Sequence, residues 1–289
     1  AYILWGLLTI YWKTLHGFPP FELIGWRITS SFVILMALAV RNRRVKSIAG
    51  SAFSRTLGPR MAAAALLVTV NWSSYVWAVA HDHVIETALG YFMAPLLTMW
   101  LGVSVLKEKL NAAQRTTIAL AGVAIVILTA GYGRVPFLAL LIAGSWALYG
   151  LLKRQVPMSS LDSLTAEMMW LVAPAIGLAV AQSSSAESVT SKADGLHLAL
   201  VVLTGLITVV PLWMFGYAAK RVPLTVLGPL QYSVPTINFL LGWLAYNEDL
   251  DTTKLVGFGF VWVALVVLGV DTYRRSVRRS VSSTEPYRR

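Results

Sequence analysis

A chain of 289 residues that is 57% hydrophobic and 13% charged has too little polar surface to cover a water-soluble globule. A formal net charge of +11 would suggest nucleic acid in a soluble protein, but the basic residues here gather in short turns between apolar segments, which points to anionic headgroups instead. Cysteine is absent, which excludes a disulfide framework and a thiolate metal site.

Ten apolar segments follow one another, at 1–15, 21–40, 61–80, 84–106, 113–131, 136–152, 161–182, 197–219, 223–246 and 253–273. Residues 1–12 would rise only about 18 Å as a helix against a hydrocarbon core of about 30 Å. The chain also opens on Ala1, so it is expected to start earlier. The second segment carries Glu22, just after Pro19 and Pro20, and Arg27 inside the span. A guanidinium cannot escape the cost of lipid by deprotonation. Arg27 therefore either binds an anionic group of a substrate or forms a structural ion pair with Glu86 or Glu167.

On the third segment Asn71, Ser74, Tyr75 and Ala78 follow i, i+3, i+4, i+7 and make one polar helix face. His81, Asp82 and His83 come next, in a turn whose spacing suggests no fourth ligand, so no metal site is expected. The fourth segment lies in ETALGYFMAPLLTMWLGVSVLKEKL, from Glu86 to Leu110. Glu86 reads either as a proton carrier or as a carboxylate favoured by a helix N-terminus. Tyr91, Trp72, Trp77 and Trp146 offer an aromatic cavity wall, with interfacial anchoring as the alternative. Glu167 and Pro174 lie in the seventh segment, Pro211 in the eighth, and Pro229 and Pro235 in the ninth. The ninth also places Gln231, Pro235, Asn238 and Gly242 on one stripe. Asp271 stands beside Arg274 and Arg275, where a boundary ion pair is expected.

The stretch Val226 to Leu250, VLGPLQYSVPTINFLLGWLAYNEDL, repeats the design of the fourth segment at an offset of 140. Pro95 matches Pro235, Leu101 matches Leu241, Gly102 matches Gly242, Glu108 matches Glu248 and Leu110 matches Leu250. The first segment returns as the sixth at an offset of 144, where Tyr2, Trp5 and Gly6 match Trp146, Tyr149 and Gly150. The expected organisation is two repeats, 1–131 and 136–273, followed by a basic tail, 274–289. Basic residues favour alternate turns: Arg41 to Arg60, Lys107 to Arg115, Lys153 and Arg154, Lys220 and Arg221, and the tail. The opposite turns hold only Lys13, Arg134, Lys192 and Lys254. Both termini should then be cytoplasmic. Five spans per repeat is an odd number, so the second copy enters from the other side: an all-α integral membrane protein of ten transmembrane helices in two inverted five-helix repeats.

NWSSYVWAVAHDHVIETALGYFMAPLL, with LLTIYWK, ALYGLLKR and VPLTVLGPLQYSVPTINFLL, resembles the bacterial RarD group in the EamA branch of the drug/metabolite transporter superfamily. The resemblance covers nearly the whole chain and implies an inner-membrane permease with two EamA repeats. It implies roles for Arg27, Asn71, Trp72, Glu86, Gly90, Tyr91, Pro95, Gln231 and Tyr232. The chain departs from that pattern at Trp26, where histidine is usual, and at Ala94, where asparagine is usual.

These readings converge on a secondary transporter for a small organic solute, metabolite or drug, working by alternating access in a bacterial inner membrane. The candidate pathway residues are Arg27, Asn71, Trp72, Tyr75, Glu86, Gly90, Tyr91, Tyr149, Gln231, Tyr232 and Asn238, with Pro95 and Pro235 as candidate hinges. No phosphate-binding loop or catalytic constellation stands out, so neither an enzyme nor a cofactor is expected, and the driving force would be a proton or other ion gradient. The alternative from another class is a membrane sensor or assembly subunit that docks partners through the tail from Arg274.

Overall fold

The computed structural model describes residues 1–81, 83–130, 135–246, 255–256, 259–260, 262–267 and 269–271. Asp82, Arg134, Glu248, Leu250, Lys254 and the tail 274–289, all used in the sequence reading, lie outside the described residues. Every regular element within them is a helix, among them α1 (Tyr2–Thr14), α2 (Pro20–Arg41), α3 (Val45–Ala52), α4 (Gly58–Ala80), α5 (Val84–Ser104), α6 (Ala112–Ala130), α7 (Phe137–Gln155), α8 (Ser160–Gln182), α9 (Val189–Lys192), α10 (Gly195–Ala219), α11 (Leu224–Leu230) and α12 (Ser233–Tyr246), and the described residues beyond 254 are helical as well. Among the described residues six stretches are long and apolar enough to cross a membrane: Pro20–Arg41, Gly58–Ala78, Glu86–Ser104, Phe137–Gln155, Ser160–Gln182 and Gly195–Ala219. Helices suit this setting because they satisfy their own backbone groups where no water can.

The helices close on one another through small residues, as expected where lipid is as apolar as the side chains. A side chain at Gly25 of α2 would meet the Ala175 carbonyl of α8 at 2.7 Å, and one at Gly205 of α10 would meet the Ser30 backbone of α2 at 2.6 Å. Gly228 of α11 crosses α5 at the Pro95 carbonyl in the same way, at 2.7 Å. The largest core cluster draws Ile28 and Leu35 from α2, Val68 and Trp72 from α4, Tyr149 from α7, Met168 from α8 and Phe215 from α10. Outward-facing apolar residues such as Val33, Leu66, Trp100, Val126, Val180 and Val202 are left exposed, which is the surface a bilayer covers.

The structure departs from the expected spans at the ninth. The stretch 223–246 is not one helix: it breaks at Gln231 and Tyr232 into α11 and α12. Pro235 has no N–H for the carbonyl four residues earlier, so the chain turns before it and leaves it in the first turn of α12, where proline is tolerated. The connections also hold two short helices, α3 and α9, not foreseen from periodicity. Connections rich in basic residues meet at one end of the assembly: Arg44 bridges Asp162 at 2.8 Å, and Arg154 donates to the Val222 carbonyl at 2.7 Å. Glu108, between α5 and α6, accepts from the N–H groups of Leu224 and Thr225 at 3.0 and 2.9 Å and so caps α11. At the opposite end Glu22 accepts from the Val189 N–H of α9 at 2.9 Å.

Candidate functional site

Between the helices lies a cavity of about 400 Å³, within the size range of small-molecule sites. It reaches from the α1–α2 connection, at Leu15, His16 and Phe18, to Gln231, Val234 and Pro235 around the α11–α12 break. Of the sequence candidates, Arg27, Asn71, Trp72, Tyr75, Tyr91, Gln231, Asn238 and Pro235 line it. The break explains how Gln231 gets there, since a turn can present groups that a continuous helix would bury against its neighbours.

Arg27 is held without a carboxylate. Its Nε donates to Thr208 Oγ1 at 2.6 Å, and its guanidinium carbon lies 3.9 Å from the Trp72 ring centroid and 5.2 Å from that of Trp12. Neither expected ion-pair partner reaches it, and no carboxylate of the described residues lies within ion-pair distance. Asn71 donates to the Ile142 carbonyl at 2.8 Å, Gln231 donates to Thr98 Oγ1 at 3.1 Å, and Asn238 accepts from Thr9 Oγ1 at 2.8 Å. Tyr75 and Tyr91 pack edge to face at 5.8 Å, as do Trp5 and Trp146 at 5.2 Å.

The remaining candidates do not line the cavity, each for a definite reason. Glu86 sits at the start of α5 and accepts from the Leu138 N–H at the start of α7 at 3.0 Å, with His83 3.7 Å away. Of its two readings, this geometry is that of the helix-terminus carboxylate. Gly90 lets α5 approach α7, since a side chain there would lie 3.1 Å from Ile142. Tyr232 is fully buried and donates to the Phe92 carbonyl at 2.9 Å. Pro95 lies within α5, behind the wall, against Gly228. Trp77, considered for the wall, instead stacks on His81 with centroids 4.2 Å apart.

Tyr149 belongs to a second polar group. Its hydroxyl donates to Glu167 Oε2 at 3.0 Å, while Lys153 Nζ donates to Glu167 Oε1 at 2.7 Å and to Ser163 Oγ at 2.8 Å. Lys153 and Glu167 are both fully buried. The sequence reading put Lys153 in a basic turn after a span ending at 152; α7 continues past it to Gln155, and its charge is satisfied inside the protein. Lys220, just beyond α10, donates to the carbonyls of Val156 and Met158, and burial together with the nearby Lys153 lowers its pKa from the usual lysine range.

Sequence reasoning missed one wall. Tyr2, Trp5, Thr9 and Trp12 of α1 all face the cavity, and their spacing of three, four and three residues is itself a helical stripe. Thr208 was also missed, because a threonine in an otherwise apolar span announces nothing until its partner is known.

A helical assembly with several apolar spans, an apolar outer surface and a cavity lined by the Arg27 guanidinium has the build of a multi-pass membrane transporter. Comparison with known proteins carries this further. The EamA-like transporter family model matches residues 1–130 and 134–270. "Protein RarD" of Streptomyces exfoliatus is 39% identical, with 99% of this chain and 90% of that protein covered. "Uncharacterized transporter YojE" of Bacillus subtilis is 35% identical over 92% of this chain and 90% of its own length, and the RarD protein of Escherichia coli is 33% identical over 96% and 94%. A crystal structure with 18% identity superposes with a TM-score of 0.69, covering 93% of this chain and 94% of the other, a likeness of fold alone. The chain belongs to the EamA-like transporter family, in its RarD group.

Proposed function

We propose that the protein is a secondary transporter that moves a small organic solute across a bacterial inner membrane by alternating access between two inverted five-helix halves, with both termini cytoplasmic. The observation that carries the reading is the cavity itself, whose wall is built from positions matched by the internal repeat. Tyr2 and Trp146, Trp72 and Leu212, Tyr91 and Gln231, and Ala94 and Val234 are such pairs, and all of them line it. Phe92 and Tyr232, matched at the offset of 140, touch each other, their rings 6.1 Å apart. Contact between equivalent positions is what a two-fold relation produces at its axis.

On this reading the cavity is exposed at the α1–α2 end, the outer face by the charge bias, while the contacts of Glu108, Arg154 and Lys153 close the basic end. A swing of one half against the other would exchange the two states. Reconstituted protein should take up a small organic solute under an imposed proton or sodium gradient, and Arg27→Ala should slow that uptake at least tenfold, as expected for loss of a charge-assisted contact worth about 1.5–3 kcal/mol. Absence of flux for every solute tried, or undiminished flux in Arg27→Ala, removes the mechanism.

A further inference from the structure

The wall of the cavity is electrically lopsided. Arg27 is its one lysine or arginine among the described residues, and no aspartate or glutamate lines it. Only Nε of Arg27 has a protein acceptor; the two Nη groups make no hydrogen bond within the described residues. Trp72 covers one face of the guanidinium, which leaves the Nη edge as the surface available to a ligand. A cation so placed in a protein surrounded by lipid is costly unless something pairs with it, and the planar fork of donors matches a planar oxyanion.

The rest of the wall restricts what can bring that oxyanion. Trp5, Trp12, Trp72 and Trp146 line the cavity and make much of its wall apolar and aromatic, a surface suited to an apolar body. Asn71 donates its amide N–H to the Ile142 carbonyl, so its amide oxygen is the group left over. The Thr98 hydroxyl spends its hydrogen on the Ala94 carbonyl at 2.8 Å and must accept from Gln231, which orients that amide the same way. Both oxygens are acceptors for an N–H or O–H donor of the solute. A dianion would leave one charge without a partner, and a cation would meet Arg27 with nothing to offset the repulsion.

We propose that the cavity selects organic monoanions: solutes with one planar oxyanion, a carboxylate in the simplest case, on a ring-bearing apolar body, the oxyanion seated on the Nη edge of Arg27. This rests on the transport reading for its biological meaning and adds the charge preference of the same cavity.

The test uses three probes that share one ring system and differ in charge: indole-3-acetate, indole-3-acetamide and tryptamine. Their effects on the melting midpoint of the purified full chain in lipid nanodiscs are titrated, because a ligand of the folded form raises it. Indole-3-acetate should bind at least tenfold more tightly than the other two. R27Q should weaken it about 10- to 100-fold, the equivalent of one charge-assisted hydrogen-bonding contact, and R27K should retain part of the affinity. The comparison of probes needs no variant, so a failure of R27Q to fold leaves it decisive. Equal or tighter binding of tryptamine or the amide, unchanged affinity in folded R27Q, or no binding of any probe at millimolar concentration overturns the proposal. Flux in proteoliposomes separates it from the transport reading: selective binding of the acid without flux supports the charge preference and removes transport, whereas flux of neutral or cationic solutes alone does the reverse.

Discussion

At the scale of single residues, Lys153 and Arg27 illustrate opposite solutions to one problem. Lys153 is fully buried and neutralised by Glu167 at 2.7 Å, with Ser163 and Tyr149 completing the group. Arg27 has a hydroxyl and two indole rings but no carboxylate among the described residues. A pair that satisfies itself is structural, and a cation left facing a cavity is available for binding. Lys153→Ala and Glu167→Ala should each cost about 3–5 kcal/mol, because each strands the other charge, while the double change Lys153→Met with Glu167→Leu should lose far less. Reversible unfolding of the three variants checks this, and additive losses would contradict the pairing. Arg27 and Glu167 were both legible in the sequence as charges in apolar runs. Which one had a partner was not, because the residue that pairs with Glu167 lies one helix away on a segment whose end was drawn three residues too early.

At the scale of elements, helix contact here depends on where a side chain is missing. Gly205 brings α10 against the backbone of α2, so Gly205→Val forces the two helices apart and should cost about 1–3 kcal/mol or more. Gly144 of α7 has nothing within 4 Å of an added methyl, and Gly144→Ala should be neutral or stabilising by up to about 1 kcal/mol through helix propensity. Comparing the two melting midpoints tests the contact; equal effects would mean the approach of α2 and α10 is not tight. The ninth span was legible as an element and misjudged as a continuous one. A proline in an apolar run says that a hydrogen bond is missing, but whether the helix bends, breaks earlier or carries on, as α5 does through Pro95, depends on what packs beside it.

For the whole molecule, the inverted arrangement makes a prediction about sidedness. The chain has no cysteine, so single cysteines report cleanly. Ser47, exposed on α3, and Ser184, exposed between α8 and α9, occupy the connections after the second and seventh expected spans. Under inversion these are opposite faces of the membrane. A membrane-impermeant maleimide applied to intact cells should label Ser184→Cys and spare Ser47→Cys, and inside-out vesicles should reverse the pattern; labelling of both from one side would end the inverted reading. The membrane setting followed from the sequence alone, because hydropathy sums over many residues and tolerates errors in any one of them, and the family followed from the resemblance carried by motifs such as NWSSYVWAVAHDHVIETALGYFMAPLL. The paired motifs around Pro95 and Pro235 and the presence of a charged residue in the second span were equally plain there. Only the tertiary structure decided that α1 supplies an aromatic wall, that Glu86 caps α7 instead of facing the cavity, and that Arg27 meets Thr208 across 181 positions of chain. Those facts concern the rotation of each helix about its own axis and the neighbour it meets. Steric fit between helices far apart in sequence sets both, and periodicity along one segment carries no information about its partner.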